Sequence, residues 1–175
     1  MGEPGDQFGT SVSINMDGQT VAVGAPLNNG VGGTDSGTVR VYDYNSSNTT
    51  WVQRGNDIDG QALGDLSGTS VSLSADGNTL AIGAPFNDNE EGVDAGHTRI
   101  HRYDSNSNTW KQIGQDLNGE AAGDESGTMV SLSDNGDRVA IGAPKNDGNG
   151  FSSGHVRVYQ YNVGTAQWIR LGLDI

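Results

Sequence analysis

The chain has 175 residues, 22 of them acidic against 9 basic, and a formal net charge of −13 at pH 7. That balance excludes nucleic acid and an anionic membrane surface as partners, since both are held by Lys and Arg. With no cysteine there are no disulfides, thiolate metal sites or cysteine nucleophiles, and no apolar run reaches the roughly 18 residues of a spanning helix.

Gly9-Thr10-Ser11-Val12-Ser13 opens the first predicted strand, with Val12 and Ile14 on one side and Ser11 and Ser13 on the other. The alternation returns at Ser70-Val71-Ser72-Leu73 and Met129-Val130-Ser131-Leu132, and a period of two marks a strand. Asp17-Gly18, Asp76-Gly77 and Asn135-Gly136 follow. Such dipeptides supply the positive φ of a tight hairpin, so strands one and two are expected to be antiparallel neighbours. Asp17 and Asp76 are read as turn residues. The second strand, over 21–25, 80–84 or 139–143, is apolar on both faces, as in a sheet covered on each side. Pro26, Pro85 or Pro144 ends it. A polar loop then leads to a third strand over 39–44, 98–103 or 156–161. The fourth opens at Trp51, Trp110 or Trp168 and is expected to end near Ile58, Leu117 or Leu173.

Gly5, Gly64 and Gly123, each followed by Asp, stand 59 residues apart. The period divides the chain into blade repeats at 1–59, 60–118 and 119–175 and predicts an all-β fold, a β-propeller of three four-stranded antiparallel blades. Side-chain size agrees: Ser, Ala and Gly fill strands one and two, near the crowded axis, while Tyr and Trp fall in strands three and four. A solenoid has far shorter rungs, and a sandwich leaves the period unexplained. Closed propellers typically take four to eight blades. Two chains closing head to tail into six blades is the expected homo-oligomer; a fragment of a longer propeller and an open arc are the alternatives. The N-terminus, Met1-Gly2-Glu3-Pro4, carries no basic or hydrophobic leader, so an exported protein is expected to contain this chain in mature form.

Phe8-Gly9-Thr10-Ser11-Val12, with Val23-Gly24-Ala25-Pro26 and Gly37-Thr38-Val39-Arg40-Val41-Tyr42, resembles the FG-GAP repeats of integrin α-subunit propellers. Ser67 and Ser126 replace the Phe in the other copies. The resemblance implies an extracellular or cell-surface propeller that binds a protein ligand and carries calcium in its first hairpin, in an Asp-x-Asp-x-Asp-Gly loop. Here those hairpins are cut to Met16-Asp17-Gly18-Gln19, Ala75-Asp76-Gly77-Asn78 and Asp134-Asn135-Gly136-Asp137. Calcium takes six to eight oxygens, more than one or two carboxylates on a tight turn provide, so that metal site is not carried over.

Up-and-down strand order places the two-to-three loops and the inter-blade links on one face. The acids gather there: Asp35, Asp88, Glu90, Glu91, Asp94 and Asp147 from the loops, and Asp59, Asp65, Glu120, Asp124 and Glu125 from the links. This is the candidate surface for a basic protein partner or a cation. Within it Asp88, Glu90, Glu91 and Asp94 are the candidate calcium ligands, at a spacing unlike an EF-hand; a solvated acidic loop is the plainer reading. Asp6, Asp65 and Asp124 recur in a Gly-Asp-x-x-Gly link and are expected to accept backbone N–H groups there. Arg40, Arg99 and Arg157 recur as partners for nearby acids, and the three Trp as packing residues. His97, His101 and His155 show no zinc-like spacing, Glu90-Glu91 has no apolar pocket to separate two pKa values, and no serine sits on a nucleophile elbow. A non-catalytic binding or adhesion propeller is therefore expected. A glycan-binding module and a purely structural assembly unit are the alternatives, with Phe86 and Phe151 the aromatics available to a sugar on the acidic face.

Overall fold

The computed structural model describes residues 2–175 and contains three antiparallel sheets, one per repeat. The first holds β1 (Ser11–Ile14), β2 (Thr20–Ala25), β3 (Thr38–Asn45), β4 (Thr50–Gln53) and the two-residue β5 (Ile58–Asp59). The second holds β6 (Ser70–Leu73), β7 (Thr79–Ala84), β8 (His97–Asp104), β9 (Thr109–Gln112) and β10 (Leu117–Asn118). The third holds β11 (Met129–Leu132), β12 (Arg138–Ala143), β13 (His155–Asn162) and β14 (Gln167–Arg170). β1 to β4, β6 to β9 and β11 to β14 each pair in sequence order, with β5 and β10 added against β3 and β8, the blade order that the hairpin and strand patterns predict.

The fourth strand is broken. β4 pairs with the end of β3 and β5 with its start, and Arg54–Asp57 bulges between them; β9 and β10 repeat this against β8. In the third blade Val156 and Ile175 exchange backbone hydrogen bonds of 3.0 and 3.1 Å. Ile175, and not Leu173, thus takes the pairing position that Ile58 and Leu117 hold in the other blades. Counted from Trp168, Leu173 falls in the bulge, where the other blades have Asn56 and Gln115.

The first hairpin pairs Ser11 with Gly24 through to Ile14 with Val21. Its turn divides the labour between two residues. Gly18 takes the left-handed conformation, with φ 72°, while Asp17 accepts the Gln19 N–H at 2.9 Å; Gly77 and Asp76 do the same at φ 68° and 2.9 Å. The acid closes the turn through its side chain, and the glycine has no Cβ to clash.

The core lies between blades. At the first seam Val39, Val41 and Ile58 pack against Val71, Leu73, Leu80 and Ile82; at the second Ala81, Ile100 and Leu117 meet Val139 and Ile141. This is why the second strand is apolar on both faces. The alternating serines tie the same seams together with hydrogen bonds. Ser11 Oγ donates to Gly68 O at 2.7 Å and Ser70 Oγ to Gly127 O at 2.8 Å. Ser13 and Ser72 Oγ accept the N–H groups of Leu73 and Leu132 at 2.9 and 3.0 Å. At the rim, Trp110 Nε1 donates to the bulge carbonyl of Arg54 and Trp168 Nε1 to that of Ile113, both at 2.9 Å. Each bulge is therefore a docking point for the next blade's indole.

Candidate functional site

Loops and links lie side by side, as strand parity requires. Leu66 N–H donates to Asp35 O at 3.2 Å and Glu125 N–H to Asp94 O at 3.1 Å. The recurrent link acids are consumed by this construction. Asp65, 1% exposed, accepts the N–H groups of Gln61 and Ala62 at 3.1 and 2.8 Å. Asp124 is also buried and accepts those of Glu120 and Ala121, and the Asn146 amide at 2.8 Å; Asp6 accepts Glu3 N–H at 2.6 Å and the Asn28 amide at 2.8 Å. Asp65 and Asp124 hold their turns closed and have no face toward a ligand. Removing such an acceptor strands buried donors. Asp65→Ala is expected to cost about 2 kcal/mol in urea unfolding, Asp65→Asn less because an amide oxygen remains, and equal losses would exclude the acceptor role.

The remaining candidate acids are dispersed. Asp59 accepts Thr38 Oγ1 at 2.7 Å. Asp88 and Asp147 close their own loops, accepting Asp94 N–H at 2.9 Å and Ser152 N–H at 2.6 Å. Asp35 and Asp94 sit at φ 52° in loop corners, and Glu90 and Glu91 are peripheral. Asp88, Glu90, Glu91 and Asp94 are not brought together as ligands: among the described residues, one group of three metal-ligating side chains converges, and it lies elsewhere.

That group is Glu120 from the second link, His155 at the start of β13 and Asp174 near the end of the fourth strand, with ligand atoms within 4.8 Å of one another. His155 Nδ1 is 3.7 Å from Glu120 Oε2. Arg157 pairs with Glu120 and with Asp174, Nε to Oδ1 at 2.8 Å; Arg170 Nη2 reaches the same Oδ1 at 2.6 Å. The hydrogen bond from Arg157 holds the Asp174 carboxyl below its usual range, against a smaller opposing effect of desolvation. Two guanidiniums thus balance two carboxylates. A divalent cation would have to displace them to gather its oxygens, so the set suits a polar organic ligand better than a metal. Glu120, His155, Arg170 and Asp174 line a cavity of about 310 Å³ with Asn146, Asn149 and Leu173, at the lower end of ligand pockets.

The first seam carries the same frame in closed form. Gln61 replaces Glu120 and donates to Asp116 Oδ2 at 3.1 Å; Arg99 donates to Asp59 O at 2.6 Å, and His97 is buried. In the first blade Arg40 pairs with Asp57 at 2.8 Å. Arg40 and Arg157 therefore do pair with acids, while Arg99 donates to a backbone carbonyl and feels Asp116 only through its charge; Asp57, Asp116 and Asp174 are absent from the candidate acids of the sequence. Each stands six residues after its blade's Trp, a recurrence that marks them once the period is known.

Residues 2–42 match the family model of the FG-GAP repeat. No curated protein sequence matches the chain. Solved structures do share its fold. A Bacteroides fragilis protein named as a 6-phosphogluconolactonase superposes with TM-score 0.60 at 16% identity, over 94% of this chain and 38% of that one. The Pseudomonas aeruginosa periplasmic gluconolactonase PpgL gives 0.57 at 15% identity, over 94% and 45%. Saccharomyces cerevisiae Sqt1 gives 0.57 at 13% identity, over 97% and 36%. The chain spans less than half the length of these proteins, and identities so low speak for the fold. They correct one expectation: the reading as a non-catalytic adhesion module does not stand, because the same architecture is found in proteins named for lactonase chemistry. The match to the FG-GAP repeat over residues 2–42 thus falls within the first of three antiparallel sheets in a propeller-like all-β fold.

Proposed function

We propose that the chain contributes to a propeller hydrolase that opens a polyhydroxylated lactone in the cavity at the second seam. The observation that carries this reading is the convergence of an imidazole, its carboxylate neighbour and the Arg170 guanidinium in one polar pocket, with Arg157 bonded to its two carboxylates. The substrate class comes from the names of two propellers of the same fold.

The chemistry asked of these residues is general base catalysis with charge stabilisation. Glu120, 3.7 Å from Nδ1, faces the His155 ring, and His155 serves as the general base. The other ring nitrogen takes a proton from water as the water oxygen attacks the lactone carbonyl carbon. Charge developing on the carbonyl oxygen meets the Arg170 guanidinium, which is partly open to solvent. The ring C–O bond then breaks, and the imidazolium returns the proton to the departing alkoxide, leaving a hydroxy acid and neutral His155. Arg157, locked between Glu120 and Asp174, positions both carboxylates.

The test is base uptake in a pH-stat with δ-gluconolactone. Hydrolysis above the spontaneous rate is expected, and His155→Gln should lower it by about 10²–10⁴-fold, the usual weight of a general base. Asp104→Asn, at the end of β8 in the second blade, should leave it unchanged. A wild-type rate equal to the spontaneous one would end this proposal.

A further inference from the structure

The end of the second blade that carries its hairpin turns, opposite the loops and links, holds a second polar cavity, of about 420 Å³. Arg54, from the bulge of the first blade, and Arg102, on β8, line it with Asn78, Ser105 and Asn135. The lining comes from all three blades and spans the second, whose two neighbours the chain itself supplies. Both cations are backed by aromatic rings. The Arg54 guanidinium carbon stands 4.1 Å from the ring centroid of Tyr103, and that of Arg102 5.6 Å from the centroid of Tyr161. A ring face attracts a guanidinium without neutralising it. Arg102 is exposed, and no ion pair joins it to a described carboxylate. Arg54 donates to Asn78 Oδ1 and, among the described residues, meets one carboxylate, Asp43 Oδ1 at 3.4 Å. Asp76, the acid in the lining, is occupied by its own turn: it accepts Ser74 Oγ at 2.6 Å and the Asn78 N–H and side-chain amide, both at 2.9 Å.

The repeat separates what the blade needs from what this cavity has been given. A residue required by the fold recurs at equivalent places, as Tyr103 does at Tyr44 and Tyr161. Arg54 does not recur: Ile113 and Leu171 take its place in the other bulges. Neither does Arg102, whose counterparts are Asp43 and Gln160. The blade therefore forms without either cation, and both meet in one cavity.

We infer that this cavity binds the oxyanion group of a small hydroxylated acid, a sugar carboxylate or a sugar phosphate. Guanidiniums present forked donors that match the oxygens of either group. The Asn135 amide and the Ser105 hydroxyl line the same space and can exchange hydrogen bonds with the ligand's hydroxyl groups. The volume lies in the range of small-molecule sites. A chain of net charge −13 repels anions over most of its surface, so a local pair of cations is what selects them here. The site lies on the face opposite Glu120 and His155, and nothing in it depends on the proposed hydrolase activity.

Isothermal titration calorimetry at low salt with glucuronate, glucose 6-phosphate and glucose tests it. One or both anions are expected to bind, and glucose is not. Tighter glucuronate assigns a carboxylate ligand, tighter glucose 6-phosphate a phosphate. Arg102→Gln installs the residue that the third blade carries at this place. It is expected to leave the circular dichroism spectrum unchanged and to weaken binding about tenfold or more, the weight of a charge-assisted hydrogen bond. Arg54→Ile, which copies the second blade, is expected to weaken it likewise. A wild type that binds neither anion at millimolar concentration would overturn the proposal, as would glucose binding as tightly as the anions. Undiminished anion binding in both variants would also overturn it, by placing the anion elsewhere on the chain.

Discussion

Taking the protein from pH 7 to pH 5 is expected to lower its melting temperature by roughly 10 °C, before its carboxylates titrate. His97 and His101 lie on the same face of β8 with Arg99 between them, 1% and 5% exposed, with His97 Nε2 and His101 Nδ1 lacking a hydrogen-bond partner. Burial, reinforced by the Arg99 cation, pushes them from 6.5 to about 4 and about 3 respectively; Asp116 opposes this without reversing it. As pH falls through 6.5 the unfolded chain protonates both rings while the folded chain keeps them neutral. The unfolded state then binds more protons, and stability drains away on acidification. At about 1.4 kcal/mol per pH unit, each ring accounts for about 2 kcal/mol by pH 5. The carboxyls of Asp57, Asp76 and Asp174 are held below 3.8, so their contribution is present above that value and lost only further down. His101→Leu removes one titrating ring and its stranded nitrogen. It should roughly halve the slope of melting temperature against pH between 7 and 5, as read by circular dichroism. Identical slopes for variant and wild type would remove His101 as a cause.

Gly83→Ala is expected to cost about 3 kcal/mol or more, at the upper end of overpacking effects. Gly83 lies in the middle of β7, paired with Ser70 and Thr98. Its backbone is ordinary, since it is not among the glycines at positive φ. The objection to a side chain is contact: the new methyl would press on the Gly127 carbonyl and on Ser70 Oγ, which themselves form the seam hydrogen bond of 2.8 Å. Accommodating it means separating the second and third blades and losing apolar contacts such as Ile100 with Ile141. Urea unfolding of the variant measures the loss, and a loss below about 0.5 kcal/mol would mean that the seam yields freely.

Much of the architecture was legible because each blade repeats a local code. Alternating Ser and Val, a Gly-containing turn and an apolar run bounded by Pro are properties of a few neighbouring residues, and three copies of them agree with the three sheets. Leu173 shows the limit of that code. Its spacing and apolar character resemble those of Ile58 and Leu117, but strand pairing is set by backbone hydrogen bonds at a distance, and those select Ile175. The acids illustrate the same limit. Asp65 and Asp124 are equivalent by period and both buried, as a structural role requires. Asp88, Glu90, Glu91 and Asp94 are close in sequence yet do not converge, because Asp88 is occupied in holding the Asp94 N–H.

The sequence by itself determined the order of the strands in each blade, the hairpin turns, the 59-residue frame and the face on which loops and links meet, because these follow from side-chain alternation, turn chemistry and strand parity within each repeat. Only the tertiary structure decided that Glu120, His155, Arg157 and Asp174 meet at the second seam. They come from a link, the start of one strand and the end of another, up to 54 residues apart, and they meet because long-range strand pairing, with Val156 and Ile175 exchanging backbone hydrogen bonds, sets the end of the third blade beside the start of β13 and the link. The side chains at these positions distinguish the two seams: at the first Gln61 stands in place of Glu120 and His97 and Arg99 are buried, while the second opens into a polar cavity.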